Sequence, residues 1–513
     1  MLWYDYNVKN KPFIGVTDMK FIYSSAKRAV ALLLAAVMLC FACVVPASAE
    51  VIIDPSAADT ALYKLSYSSL INRVSENGYA ATSLTGKYKG MYVRDAAIQV
   101  MAMVANGDVE AAGLILEYIF TYHESTGYTY ALCVLPQVEN FEAEEIAAPI
   151  SKRIQSDTTY MLLHAFVKWY QANTDEAARS LFLERHWGTM CAFADYFTTA
   201  EYYSKTKNLI LNPNFQNIDR YYKCYDLITN VFASQAFYEM SDIAEAKGDN
   251  EYADSWENAA YNLKDGINAN LVAESGKVKI YREMYDVQYK RNYNGFSFIN
   301  FAPVAAEWFG IDNELMTNTY TQHMKQASSE LDGVTLMDSR HIVGSARWSE
   351  EILGKHLAWE IMYLASQPDN SERLRELLDF MAAHTPEGEP YAEAWVFDGS
   401  LADAGNQEQT AWLIYALATV MPRMKLNYTA EETVSSAPET SSVVSKTDDG
   451  TDKDGHDDSN RIITVLFIII ASAVALSIAA LAARNVHLSA RRKARVTETQ
   501  TDDIQGFDLN DEE

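Results

Sequence analysis

Five short stretches put aromatic, acidic and amide residues just ahead of helical patterns: Tyr92-Val93-Arg94-Asp95, Gln155-Ser156-Asp157, Asp219 to Asp226, Phe296 to Asn300, and Glu393 to Trp395 before Gln409-Thr410. Aromatic faces stack on sugar rings, while Arg, Asp, Asn and Gln reach hydroxyl groups in bidentate fashion. Loops of this composition, if they meet, form a crevice suited to a carbohydrate. Each position also has a plainer reading, because an Asp before a helix is first of all an N-cap. Capping accounts for Asp95 in GMYVRDAAIQVMAM and leaves Arg94 unexplained. The recurrence of the pattern is the stronger argument.

The elements that must position these residues read as helices. SDTTYMLLHAFVKWYQANTD opens with cap-type residues, NVFASQAFYEMSDIAEAKGD stops at Gly248, and ADSWENAAYNLKDGI follows after a short turn. Helices joined by tight turns are αα-hairpins, and residues 51–427 hold about twelve such helices at roughly thirty residues each. Neither regular short strands nor βαβ alternation is evident. No repeat of 34 to 47 residues holds, which argues against an open solenoid. The expectation is an all-α chain folded as an (α/α)6 barrel, six hairpins closed in a ring. In such a ring the loops ahead of alternate helices gather at one end.

The chain has 513 residues and a net charge of −27. That charge argues against nucleic acid as a partner, because phosphate binding needs basic surface. Residues 29–46, AVALLLAAVMLCFACVVP, follow Lys27-Arg28 and precede Ala47-Ser48-Ala49, so 1–49 reads as a signal peptide, with Met19 as an alternative start. IITVLFIIIASAVALSIAALAA, 22 residues without a charge, is long enough at ~1.5 Å per residue to cross a hydrocarbon core of ~30 Å. The expected order is ectodomain 50–430, disordered acidic Ser/Thr-rich stalk 431–460, C-terminal transmembrane helix 461–484 and tail 485–513. Arg484, Arg491, Arg492, Lys493 and Arg495 place the tail in the cytoplasm, making this a single-pass cell-membrane protein with its ectodomain outside. Cys40 and Cys43 fall in the leader, and Cys133, Cys191 and Cys224 form no disulfide framework. No Cys or His cluster has metal-ligand spacing, so neither metal nor cofactor is expected.

MYVRDA, QSDTTYMLLHAFVKWYQANTD and PYAEAWVFDGSLADAGNQEQTAWLIYAL, in that order, resemble motifs of the glucoamylase-like six-hairpin glycosidases. The resemblance covers most of 75–420. It implies that Arg94 and Asp95 hold the sugar in the cleaved subsite, that Gln155 and Asp157 match a Gln-x-Asp segment, and that Glu393 is the catalytic base. The family's acid lies in mid-chain, where this sequence reads NPNFQNIDRYYKCYDLITNVF. Asp219 is the preferred acid there and Asp226 the alternative, since Asp226 can cap the following helix. Gln216 occupies a similar place without an ionisable group. Exo-acting α-mannosidases on the same fold carry a similar aromatic-x-Arg-Asp motif.

Tyr92, Trp348, Trp395 and Phe296 are candidate stacking platforms, with Arg347 or His341 reaching hydroxyls. Trp169, Trp256, Trp308, Trp412 and His164 fall in apolar helical periods and read as structural. Glu350 and Glu351 are further candidate acids, although Glu351 at helical spacing from Lys355 reads as an i,i+4 pair. The function expected from the resemblance is an extracellular, membrane-anchored glycoside hydrolase. It would invert configuration and act on α-linked oligo- or polysaccharide, α-glucosides first and α-mannosides second. The alternative is a catalytically silent carbohydrate-binding or surface-scaffold protein. A polysaccharide lyase is disfavoured, because a uronate substrate suits a basic cleft.

Overall fold

Several runs of the sequence are too uniformly apolar for a helix with one solvated face, and these become the inner wall of the structure. In the computed structural model the described residues run from 53 to 421, except 144, 218–219, 342–344, 348 and 369. They fall within one compact unit, Ser48–Val434. The expected leader, stalk, membrane span and tail lie outside the described residues, as do Asp219 and Trp348. Among the described residues, no helix is long and apolar enough to cross a membrane.

Twelve α-helices follow one another among these residues. They are α1 (Ala57–Ile71), α2 (Val93–Asn106), α3 (Val109–Thr126), α4 (Ser156–Ala172), α5 (Glu176–Tyr196) and α6 (Leu227–Lys247). The second half holds α7 (Asn250–Asn270), α8 (Ala302–Ala305), α9 (Asn313–Gln326), α10 (Gly354–Ala365), α11 (Ser371–His384) and α12 (Gln407–Val420). Contacts run α2 to α4, α6, α8, α10 and α12, and from α12 back to α2, which closes an inner ring. Outside it, α1 packs on α12, α3 on α2, α5 on α4, α7 on α6 and α11 on α10. In α9, Tyr320 packs on Phe301 and Tyr363. This is the expected (α/α)6 barrel.

Burial follows from the two roles. Every residue of α10 is buried, whereas α7 buries only Trp256, Ala260, Leu263, Gly266 and Ile267, at the 3-4 spacing of a one-sided helix. The shortest inner element, α8, is preceded by a 3-10 turn, Phe298–Phe301, that Ser297 caps, and it carries Pro303 in its first turn. Trp169, Trp256, Trp308 and Trp412 are buried, as their periods required. Gly248 ends α6 at φ +85°, a left-handed conformation that glycine adopts without a Cβ penalty.

Short strands, which the helical reading did not anticipate, build the loops ahead of the inner helices. β1 (Met91–Tyr92) pairs with β2 (Val134–Leu135) before α2. A four-stranded sheet in the order β6-β5-β4-β3 combines β3 (Asn212–Asn217), β4 (Arg220–Asp226), β5 (Met284–Asp286) and β6 (Arg291–Tyr293), and β4 leads directly into α6. A three-stranded sheet of β7 (Glu351–Leu353), β8 (Ala394–Val396) and β9 (Leu401–Ala402) leads into α10.

Candidate active site

Alternate helices of a hairpin ring run parallel, so the first turns of the inner helices and the strands before them share one end of the barrel. A cavity of about 320 Å³ opens there, lined by Lys87, Tyr88, Tyr92, Arg94, Asp95, Gln216, Glu351, Leu353, Lys355, Glu393, Asn406, Glu408 and Gln409. The first turns of α2, α10 and α12, together with their N-cap residues Tyr92, Leu353 and Asn406, supply most of its wall, and the β3–β4 hairpin supplies Gln216.

Glu393 precedes β8, and its backbone is fixed on two sides. Its N–H donates to the Ala402 carbonyl at 2.8 Å, and its carbonyl accepts from Gly354 N–H at 2.9 Å. The carboxylate accepts from the Tyr88 hydroxyl at 2.6 Å and pairs with Lys87. Burial and the facing Glu393 charge raise the Tyr88 phenol well above its ordinary value, so it stays a donor. The loop carrying Lys87 and Tyr88 is pinned in turn: Ser83 and Thr85 donate to Asp403, Thr82 Oγ1 donates to Gln407, and Arg73 donates to the carbonyls of Ala81, Thr82 and Gly405.

Arg94 is enclosed by three carboxylates. Its Nη1 lies 3.2 Å from Asp157 Oδ2, and its Nε lies 3.6 Å from Glu408 Oε1 and 3.8 Å from Asp95 Oδ1. Asp157 also accepts from Asn212 Nδ2 at 2.8 Å, which ties α4 to the β3–β4 hairpin. Glu408 accepts from Lys355 Nζ at 3.1 Å and from Gln409, while the Gln409 side-chain oxygen accepts the Lys355 backbone N–H at 2.7 Å. These carboxyl groups are driven apart. Burial, then the charge of Glu408, push the Asp95 carboxyl up to about 7, against the pull of Arg94 and Lys355. Burial acts on Glu408 in the same direction, but Lys355 and Arg94 outweigh it and hold that carboxylate below its ordinary range. The two neighbours thus differ in their hold on a proton, Asp95 keeping one more readily than Glu408. Asp95 Oδ1 is buried without a hydrogen-bond partner and faces Arg94 Nε at 3.8 Å, beyond hydrogen-bond reach.

The structure brings Tyr92, Arg94, Asp95 and Glu393 to one cavity, and Asp157 behind Arg94. Gln155 is buried just behind, donating to the Asn214 carbonyl and accepting from the Cys133 thiol. Capping does not explain Asp95, because the N-cap of α2 is Tyr92 and no side chain caps there. Asp226 does cap α6, accepting from Thr229 N–H at 2.7 Å, and it is wholly buried off the cavity. Trp395 and Phe296, expected as stacking platforms, are core residues: Trp395 packs on Phe380 and Phe296 on His323. The expected Glu351–Lys355 pair does not form, since Glu351 lies in a strand and Lys355 turns to Glu408. Glu350 pairs with Arg347, which stacks on Phe397. His341 bonds the buried Glu283 at 2.9 Å, and His164 bonds Glu239 at 2.8 Å inside the barrel.

Lys87, Tyr88, Lys355 and Glu408 escaped the sequence reading. Glu408 was within reach, as an acid in the first turn of a helix otherwise buried on all sides. Lys87 and Tyr88 were not, because their partner Glu393 stands more than 300 positions away in the chain.

No protein-family model matches this chain, and no curated protein matches it in sequence. Solved structures do resemble it in fold. One is a GH63 mannosylglycerate hydrolase from Thermus thermophilus in complex with glucose, with TM-score 0.52 and 13% identity over 69% of this chain and 99% of that one. Another is a bacterial glucoamylase complexed with acarbose, with TM-score 0.51 and 16% identity over 71% of this chain and 57% of that one. A glycosidase in complex with glucose has TM-score 0.50 and 12% identity, over 71% of this chain and 97% of that one. At these identities the likeness establishes the toroidal fold.

Proposed function

We propose that this chain is a glycoside hydrolase that inverts configuration at an α-linked sugar, with α-glucosides as first choice of substrate and α-mannosides as second. The observation that carries the proposal is Glu393, a carboxylate held at the cavity wall by Tyr88 and Lys87, in the same cavity as the Arg94–Asp95 pair. Glucose and acarbose in the structures of similar fold support the sugar class.

In this reading Arg94 and Asp95 hold the sugar in the cleaved subsite, Arg94 fixed from behind by Asp157. Glu393, as base, takes a proton from a water that attacks the anomeric carbon from the face opposite the leaving oxygen. The departing oxygen needs a protonated partner, and inversion asks for about 6.5 to 9.5 Å between the two carboxyl groups so that the water fits. Asp219 is proposed as that acid, because it follows by three positions Gln216, which lines the cavity. Asp226, the other carboxylate of the segment, is occupied as a buried cap. The two apolar spans of the sequence support an ectodomain held outside the membrane by residues 461–484.

The test is incubation of the full chain with α-glucosides, α-mannosides and trehalose, following the released anomer by NMR. Release with inverted configuration is expected, and Glu393→Gln should lower kcat by at least roughly 10²-fold, the usual scale for loss of a general base. Retained configuration would overturn the mechanism. Sugar binding without release from any substrate would support the silent carbohydrate-binding protein instead.

A further inference from the structure

The cavity does not end at Gln216. In the β3–β4 ladder Gln216 pairs with Tyr221, and paired residues of an antiparallel ladder project from the same face. Tyr221 therefore continues the cavity wall outward. It is 45% exposed, so its ring is open to solvent. The Arg153 guanidinium stacks on it at 3.8 Å from the ring centroid. Along β4 Tyr221 and Lys223 are exposed and Tyr225, on the same side of the strand, is half-buried against the core, while Tyr222, Cys224 and Asp226 are buried. Tyr225 pairs with Tyr285 of β5, and Lys207 lies over the Tyr285 ring at 5.2 Å.

The outcome is a strip that alternates aromatic and basic groups, Tyr221 with Arg153, then Lys223, then Tyr225 and Tyr285 with Lys207. From Tyr221 to Tyr225 it runs about 13 Å at ~3.3 Å per residue. In a chain of net charge −27, this concentration of positive charge runs against the overall composition. Among the described residues, neither Arg153 nor Lys223 has a carboxylate at ion-pair distance.

We propose that the outward face of this sheet is a binding track for an anionic glycan, whose end enters the cavity and whose following acidic sugars lie along β4. The inference rests on the glycosidase reading for what happens in the cavity, but not for what binds along the sheet. Tyrosine faces stack on sugar rings, and Arg153 and Lys223 pair with carboxylate or sulfate groups. Lys223 and Tyr221 act here as specificity residues.

The test uses the full chain and two oligosaccharides of equal length and linkage, one neutral and one with uronate units beyond the terminal sugar. Calorimetry at low salt should give about tenfold tighter binding of the uronate form, an advantage that fades as salt screens exposed pairs. Lys223→Glu should remove that preference and leave the neutral ligand bound as before, while Lys223→Arg should keep it. Tyr221→Ala should weaken both ligands. Equal affinities for the two forms at low salt, or a uronate preference intact in Lys223→Glu, would overturn the track. Uronate preference together with no release from any of the α-glucosides, α-mannosides or trehalose would uphold the track and remove the glycosidase reading, so the two fail separately.

Discussion

At the scale of single residues, the same amino acid does different work according to what burial and neighbours do to its proton. Asp95 and Asp226 both precede or open inner helices, and both have their carboxyl groups pushed up, to about 7 and about 8. For Asp226 the causes are burial and then the nearby Asp157 charge. Only Asp95 faces the cavity. Asp226 binds its proton more tightly in the folded chain than in the unfolded one, where the ordinary value is 3.8. Its contribution to stability is thus full below about pH 4 and is lost progressively as pH rises to about 8. Asparagine keeps the cap on Thr229 and cannot ionise. Asp226→Asn should therefore match the parent in Tm near pH 4 and exceed it at pH 9. Parallel Tm curves across that range would refute the assignment.

At the scale of elements, the site depends on how tightly the loop before α2 is laid down. Gly90 sits at φ +92°, and a Cβ there would come within 2.5 Å of Ile150 Cδ1 and 2.9 Å of the Leu135 carbonyl. Backbone conformation and space both exclude a side chain. Gly90→Ala should cost about 1–3 kcal/mol, read by denaturant unfolding, and should raise KM because Lys87, Tyr88 and Tyr92 shift together. A stability within a few tenths of a kcal/mol of the parent would show that the loop yields easily. The strands of these loops were illegible in the sequence because each spans only two to seven residues. In RYYKCYD the alternation of β4 is masked, since tyrosine suits both its buried and its exposed positions.

At the scale of the whole molecule, closure is what makes the pocket. α12 packs on α1, α2 and α10, so it joins the last hairpin to the first and carries Glu408 and Gln409 to Arg94 and Lys355. A chain cut after residue 405 should lose cooperative unfolding as well as sugar binding, which circular dichroism and a thermal melt would read. Retention of a cooperative melt would mean that the ring closes without its last inner helix. The helical ring was readable in advance, because apolar periods and the turn residues at Asn173 and Gly248 are local signals. So was the gathering of Arg94, Asp95 and Glu393, since parallel inner helices share one end. Asp157, also foreseen, holds Arg94 from behind the cavity wall.

What the sequence determined by itself is therefore whatever depends on neighbours within a few positions: helix periods, stops, caps such as Asp226, and the apolar runs that become the inner wall. Only the tertiary structure decided which side chains meet. It set Lys87 and Tyr88 on Glu393, moved Lys355 from Glu351 to Glu408, and turned Trp395 and Phe296 inward. The physical reason is that a long-range contact is chosen by the packing of the closed ring and by the cost of burying an unpaired charge. Neither leaves a periodic trace along the chain.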